Sequence, residues 1–367
     1  MRVVHRLHPP DIGGISIHAD ALSREQARMG HDVVVFTSRQ HGMPEHEFRD
    51  GYEVYRFPEL AHPLENPLTL DMLPALITDS LGRVDVVHAH SHLFFSTNLS
   101  AFKRRISSTP LVITNHGFRV QRGPMLDLLQ DGYLATVGGW TLRAADKVIS
   151  LKSDEARRVC SLGVDPTKSV VIPNGVDLDL FHPTGGPQSD HTVIWAGRLV
   201  EEKGVRYLLD AIKLVSREMP SVHLLVVGYG PLEGRLKSHA EQLGISRNVV
   251  FRSSVDQRTL ASMMNESALL ALPSLSEGLS NVALEAMACG RPVVTTDGIG
   301  LNSAFEDAAI YVPARDPQSL AKAILHLLSD DAFRTKLGQY SRSFVMKFSW
   351  NTVANAIDQL FMQLIEP

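Results

Sequence analysis

Four loops of this 367-residue chain combine residue types that can do chemistry. The first is Gly197-Arg198-Leu-Val-Glu-Glu-Lys203-Gly204, where two cations five residues apart stand on a glycine-bounded loop. Such a pair can converge on one diphosphate, Arg198 through bidentate hydrogen bonds and Lys203 as a point charge. A solvated pair balancing Glu201 and Glu202 would use the same residues. The second runs from Ser274 through Glu277, Leu279, Ser280 and Asn281 to Glu285, then Gly290-Arg-Pro292. Asn281 reads as the N-cap of a short helix that Gly290 and Pro292 end, which sets two carboxylates beside an anion-accepting helix N-terminus. An ionised Glu accepts hydrogen bonds from ribose or hexose hydroxyls, although Glu285 could also simply favour the helix dipole. The third loop holds Gly13-Gly14, where a backbone without Cβ atoms can approach a ligand closely. The fourth is Thr114-Asn115-His116-Gly117, whose imidazole is a candidate catalyst or a satisfied structural residue.

These loops need elements to hold them, and the sequence supplies two sets. Short β-branched runs alternate with helix-length segments, the pattern of parallel sheets built from βαβ units. The first set predicts strands near Val3–Leu7, Asp32–Thr37, Tyr52–Phe57, Asp85–Ala89, Leu111–Thr114, Lys147–Leu151 and Ser169–Pro173. Ile15, Ala19, Leu22 and Met29 fall near one face of a first helix that Gly30 would end. Ser153 reads as another N-cap, followed by acidic Asp154 and Glu155. Periodicity stops around His182 to Asp190, where turn formers crowd together. Strands resume at Thr192–Ala196, Val222–Val227, Asn248–Phe251, Ala268–Leu272, Pro292–Thr296 and Ile310–Val312. The expectation is α/β, with two doubly wound Rossmann-like domains, residues 1–185 and 186–345. A terminal helix over 346–367 carries Val353, Ile357, Leu360, Phe361 and Leu364 in one stripe and is expected to pack back on the first domain. In such sheets ligands sit beyond the carboxyl ends of the strands, which is where all four loops fall.

Composition narrows the functions. Thirty-six Lys and Arg against 40 Asp and Glu give a net charge of −4, which argues against a nucleic-acid partner. Cys160 and Cys289 are too few and too far apart for a disulfide framework or a CxxC metal site, and fit a reducing cytoplasm. The N-terminus lacks the apolar run of a signal peptide, and no stretch has the length of a membrane span. Peripheral contact with a membrane stays open, because Leu99, Phe102 and Ile106 accompany Lys103-Arg104-Arg105 on one helical segment.

In this order and on these two halves, the loops resemble the family 4 retaining glycosyltransferases of GT-B fold. The resemblance rests on Gly13-Gly14, Asp85-Val-Val-His-Ala-His90, His116-Gly117, Asn174-Gly-Val-Asp177 with Phe181, Gly197-Arg-Leu through Lys203-Gly204, Val227-Gly228-Tyr-Gly230-Pro231, and the Glu277-x7-Glu285 block with its Ala-Met-Ala-Cys-Gly-Arg-Pro tail. It implies transfer of a hexose from a nucleoside diphosphate sugar to an acceptor hydroxyl with retention at the anomeric carbon, in a cleft between the domains. Arg198 and Lys203 would then hold the diphosphate, Glu285 the ribose, and Glu277 a hydroxyl of the transferred sugar. Leu279, Ser280 and Asn281 would complete the donor site at the helix N-terminus. His116 would contact the sugar near the reacting face, Gly13-Gly14 would lie beneath the phosphates, and Arg252 would approach the base. No metal or other cofactor is implied, because fixed cations and helix N–H groups can stabilise the leaving diphosphate. Asp177-Leu-Asp179 matches the DxD pattern of metal-dependent transferases, yet belongs to the segment before the linker. The chain departs from the family pattern at Gly298-Ile-Gly300-Leu-Asn302, with Glu306 later.

The donor remains open between GDP-mannose, UDP-glucose and UDP-N-acetylglucosamine. The acceptor, whether glycan, lipid-linked or a small molecule, would be read by the segments His41 to Arg49, Ala61 to Pro67 and Arg119 to Asp131. A GT-B-fold nucleotide-sugar epimerase is the nearest alternative. An NAD-dependent dehydrogenase fits less well, since the third glycine of GxGxxG would have to be Glu233. An inactive partner subunit fits poorly with every candidate residue present, and the sequence does not set an oligomeric state.

Overall fold

The apolar runs become the strands of two sheets. The computed structural model describes residues 1–11, 13–78, 82–118, 124–185, 189, 191–275, 279–297 and 305–365, the side chains of 65, 124–127 and 306 excepted. The chain divides into two units, Met1–Asn174 with Trp350–Pro367 and Gly175–Ser349.

In the first unit the strands are β1 (Arg2–Val3), β2 (Val34–Ser38), β3 (His46–Arg49), β4 (Tyr52–Phe57), β5 (Val87–His90), β6 (Leu111–Asn115), β7 (Lys147–Ser150) and β8 (Ser169–Val171). They lie in the order β3-β4-β2-β1-β5-β6-β7-β8, parallel except for the β3–β4 pair. The helices are α1 (Gly14–Arg28), α2 (Met72–Ile77), α3 (Phe95–Ile106), α4 (Pro124–Tyr133), α5 (Gly139–Ala144) and α6 (Ser153–Ser161). Strand β3 was not expected, since His46-Glu-Phe-Arg49 carries no apolar alternation. Its cause is the turn that follows: Asp50 and Gly51 both take positive φ, the two-residue connection that Asp-Gly favours. The segment His41 to Arg49 is therefore partly an edge strand rather than a loop. Ser153 proves to be the first residue of α6 and not its cap, which is Lys152.

In the second unit β9 (Thr192–Ala196), β10 (His223–Val227), β11 (Val249–Arg252), β12 (Leu269–Leu272), β13 (Val293–Thr296) and β14 (Ile310–Val312) form one parallel sheet. Its order is β11-β10-β9-β12-β13-β14. That is the order of the doubly wound dinucleotide-binding fold, with its switch point between β9 and β12. Helices α7 (Val205–Glu218), α8 (Glu233–Gln242), α9 (Gln257–Glu266), α10 (Asn281–Ala288), α11 (Pro317–Ser329) and α12 (Asp331–Val345) connect and flank the strands.

The division after Asn174 falls ahead of the turn-rich run at 182–190, where the periodicity stops. Residues 175–185 are held within the second unit: Arg342 donates to the Phe181 carbonyl, Asn265 bonds both Thr184 N and His182 O, and Val176 bridges to Ser349. The last helix, α13 (Trp350–Ile365), clusters with the first unit. Trp350, Val353, Ala354, Ile357 and Leu360 pack there with Ala21 and Leu22 of α1 and with Val86, Val112, Ile149 and Ile172. Burying that stripe is what orders the helix.

Helix α3 presents less charge than its sequence suggests. Lys103 is buried, and Arg104 makes a two-pronged bond to Asp146 at 2.6 and 2.9 Å. Of the three cations only Arg105 is exposed, beside exposed Phe102 and Ile106. Among the described residues no helix is long and apolar enough to cross a membrane.

Candidate active site

The second unit brings the two most specific loops together. After β9 the chain turns through Gly197, whose N–H donates to Val227 O at 3.0 Å, and Leu199, whose N–H donates to Tyr229 O at 2.8 Å. A single turn over Glu201–Lys203 then ends at Gly204, in the left-handed region at φ 63°, and α7 begins. The N–H of Leu275, after β12, donates to Glu202 O at 2.7 Å. This backbone bond ties the Arg198/Lys203 loop to the loop that enters α10, at the β9/β12 switch point. Arg198 is exposed and Lys203 half-buried.

Glycine is required at this junction. A Cβ on Gly228 would stand 1.9 Å from the Gly197 carbonyl oxygen, at a φ of +141° that side chains rarely adopt. One on Gly204 would stand 2.0 Å from the Pro273 oxygen. We expect Gly228→Ala to lower the unfolding free energy by about 3 kcal/mol, a clash plus backbone strain, with a Tm drop of several degrees. A Tm equal to wild type would mean that the β9 loop can retreat, and that its backbone is not fixed by this contact.

Helix α10 is capped by Ser280, whose side chain accepts from Ala283 N, so the cap is one residue earlier than Asn281. Asn281 is instead the first helical residue; Leu279 and Ser280 are buried before it. Glu285 lies in the second turn, also buried, and desolvation pushes its carboxyl up to about 7 from an ordinary 4.5. Arg252, exposed, ends β11, two strands from β9. Glu277 and the divergent segment 298–302 lie outside the described residues, as does the side chain of Glu306.

In the first unit, Gly13 caps α1 with extended backbone and donates to Asp11 Oδ1 at 2.8 Å; Ser16 Oγ donates to the same oxygen at 2.6 Å. Gly14 opens the helix and is exposed. One turn further, the ring of His18 meets that of His116 edge to face, with centroids 4.8 Å apart. His116 follows β6, and its Nε2 lies 3.1 Å from Nδ1 of His90 at the end of β5. The α1 turn and His116 therefore share one end of the sheet, across the reversal of strand order at β1/β5. Sequence reading gave His18 and His90 no role. Their signal was present: histidines alternate at 88, 90 and 92 through the end of one strand.

Two places gather side chains of the kinds that bind metal ions. Asp177 Oδ1 accepts from Asp179 N at 3.1 Å and from Leu180 N at 2.9 Å, so it caps its own turn. One nitrogen each of His18, His90 and His116 gather within 4.8 Å of one another.

Comparison with known proteins agrees with this geometry. Residues 12–180 match the Glycosyltransferase Family 4 model and residues 179–344 the model of Glycosyl transferases group 1. An uncharacterized glycosyltransferase of Methanocaldococcus jannaschii is 31% identical over 95% of this chain and 94% of its own length. A D-inositol 3-phosphate glycosyltransferase of Xylanimonas cellulosilytica is 29% identical over 96% and 92%. Among solved structures, sucrose-phosphate synthase of Thermosynechococcus elongatus superposes with a TM-score of 0.84 at 24% identity, covering 99% of this chain and 98% of that one. Anabaena HepE, solved with UDP-glucose, gives 0.79 at 18%, covering 99% of both. With the fold, the two loops and both family models in agreement, the chain belongs to the family 4 glycosyltransferases, enzymes of GT-B fold that transfer sugars.

Proposed function

We propose that this enzyme moves a hexose from a UDP-sugar to an acceptor hydroxyl, with retention and without a metal ion, in the cytoplasm. The observation that carries the reading is the backbone bond from Leu275 to Glu202, which ties the Arg198/Lys203 loop to the segment that leads from β12 toward α10, the helix of the buried Glu285. Diphosphate, helix dipole and ribose-accepting carboxylate then belong to one ligand. In the reaction the bond from C1 to the diphosphate oxygen breaks, and a bond from the acceptor oxygen forms on the same face. The acceptor proton passes to a diphosphate oxygen. Arg198 and Lys203 stabilise the charge that grows on the leaving group, and Glu277 and His116 hold the sugar. Gly13 and Gly14 bring the α1 amides to the phosphates, Leu279, Ser280 and Asn281 bring those of α10, and Arg252 flanks the base.

UDP is favoured over GDP because Anabaena HepE was solved with UDP and with UDP-glucose. For the acceptor, the names of two similar proteins point to a phosphorylated polyol or sugar as the class to try first: D-inositol 3-phosphate glycosyltransferase and sucrose-phosphate synthase. Thermal unfolding with UDP, GDP, ADP and NAD tests the donor, since a ligand that binds only the native state raises Tm by an amount that grows with the logarithm of its concentration over its Kd. A rise with UDP is expected; a rise with NAD alone would overturn the transferase site. Turnover should persist in EDTA. Turnover lost on chelation and restored by manganese would sink the metal-free mechanism.

A further inference from the structure

The buried histidines of the first unit form an ordered chain of proton positions. Arg2 donates to His88 Nδ1 at 3.5 Å, so His88 carries its proton on Nε2 and gives it to Thr114 Oγ1 at 2.7 Å. His18 donates from Nδ1 to Asn174 Oδ1 at 2.8 Å. Between them stands His90, fully buried, whose Nδ1 faces His116 Nε2 at 3.1 Å. Burial holds both rings well below the ordinary imidazole range, so both are neutral and one N–H is shared between the two nitrogens.

Which ring supplies that proton follows from the far side of His90. Its Nε2 is buried with no hydrogen-bond partner among the described residues. If His116 donated, His90 would carry its proton on Nε2, an orphaned buried N–H of a kind proteins rarely tolerate. If His90 donates, only a ring lone pair is left unmatched there. The proton therefore sits on His90 Nδ1, and His116 is left with its proton on Nδ1.

The backbone holds His90 in that place. Ser91, next in the chain, is a non-glycine residue at φ 63°, and is buried. Its N–H donates to Thr114 O at 2.8 Å, and the His90 carbonyl accepts from Thr97 Oγ1 at 3.0 Å. A left-handed residue at a strand end is strained backbone that the surroundings must enforce.

We propose that His90 is a positioning residue for sugar transfer: its Nδ1–H bond locks His116 in the Nδ1–H tautomer and fixes the ring, so that His116 meets the transferred hexose as a hydrogen-bond donor from Nδ1. This rests on His116 contacting the sugar, as proposed above.

The test combines nitrogen NMR of histidine-labelled protein with turnover of UDP-glucose, water as acceptor, measured as UDP release. His116→Gln assigns the ring signals. In wild type, Nδ1 of His116 should show the shift of a protonated nitrogen and Nε2 that of a bare one. His90→Leu should release the ring toward the Nε2–H form and lower kcat by about 10- to 100-fold, the effect of a misplaced contact, with UDP affinity unchanged because UDP lacks the sugar. His90→Asn sets an amide N–H close to where Nδ1 stood, and should restore both the tautomer and most of the rate. A wild-type His116 protonated on Nε2 overturns the proposal whatever the kinetics, as does loss of rate in His90→Asn equal to that in His90→Leu. Wild-type turnover in His116→Ala, with the Nδ1–H tautomer observed, would instead remove His116 from the sugar and sink only the reading beneath.

Discussion

Lys203→Ala and Arg198→Ala are each expected to lower kcat/KM for UDP-sugar turnover by about 10²–10³-fold, with Tm within a degree or two of wild type. Both side chains extend from a loop whose shape is set by backbone bonds to Tyr229, Val227 and Leu275, so their removal leaves the loop intact. The loss should be larger in kcat/KM than in UDP affinity. Charge on the diphosphate grows as the sugar departs, and a fixed cation is worth more to the departing group than to the bound donor. Arg198→Lys should recover only part of the rate, because a point charge cannot reproduce a two-pronged hydrogen bond. Steady-state kinetics beside UDP titration separate the two effects. Full activity in either alanine variant would remove that residue from the diphosphate.

Glu285→Gln is expected to stabilise the protein and to weaken donor binding. Buried Glu285 is raised to about 7 from 4.5, so the native state keeps a proton that the unfolded chain has released. Stability contributed by this group is present in full below pH 4.5 and is lost as pH rises to about 7. Above that, the buried charge costs about 3 kcal/mol, from roughly 2.5 pKa units at 1.36 kcal/mol each. Denaturant unfolding should therefore show Glu285→Gln equal to wild type near pH 4.5 and about 3 kcal/mol more stable at pH 8. Ribose hydroxyls donate best to the ionised carboxylate, so UDP affinity in the wild type should fall about tenfold per pH unit below 7 and level off above it. The glutamine variant should bind weakly at every pH without that slope. If both proteins show the same pH dependence, Glu285 does not meet the ribose.

Much of this was legible in the sequence where one force dominates. The central strands are almost wholly buried, so a run such as Thr192–Ala196 announced itself with its bounds. β3 did not, because it sits at an edge and takes its place from the Asp50-Gly51 turn rather than from apolar residues. Asn281 and Ser280 are both good caps, and composition alone could not choose between neighbours; the side-chain bond to Ala283 does. The loops around Arg198 and Glu285 could be read as a pair, since each stands after a strand. That the first is pinned to the second by one carbonyl was not legible, because backbone bonds between loops leave no mark on side-chain identity. His90 was hidden for the opposite reason. A histidine inside a strand looks like filler until its ring is seen facing another.

The path of the chain through the two units has a consequence for biosynthesis. The first unit takes α13 into its core, against Ala21, Leu22 and Ile149, yet α13 is made only after the whole of the second unit. Domains usually fold in the order in which they leave the ribosome. Here the second unit is contiguous and can close while translation continues, whereas the first must wait, with a stripe of its core uncovered, until residues 350–365 emerge. The first unit is thus begun before the second and finished after it, and a nascent chain stalled before Trp350 would expose that stripe for as long as the stall endures.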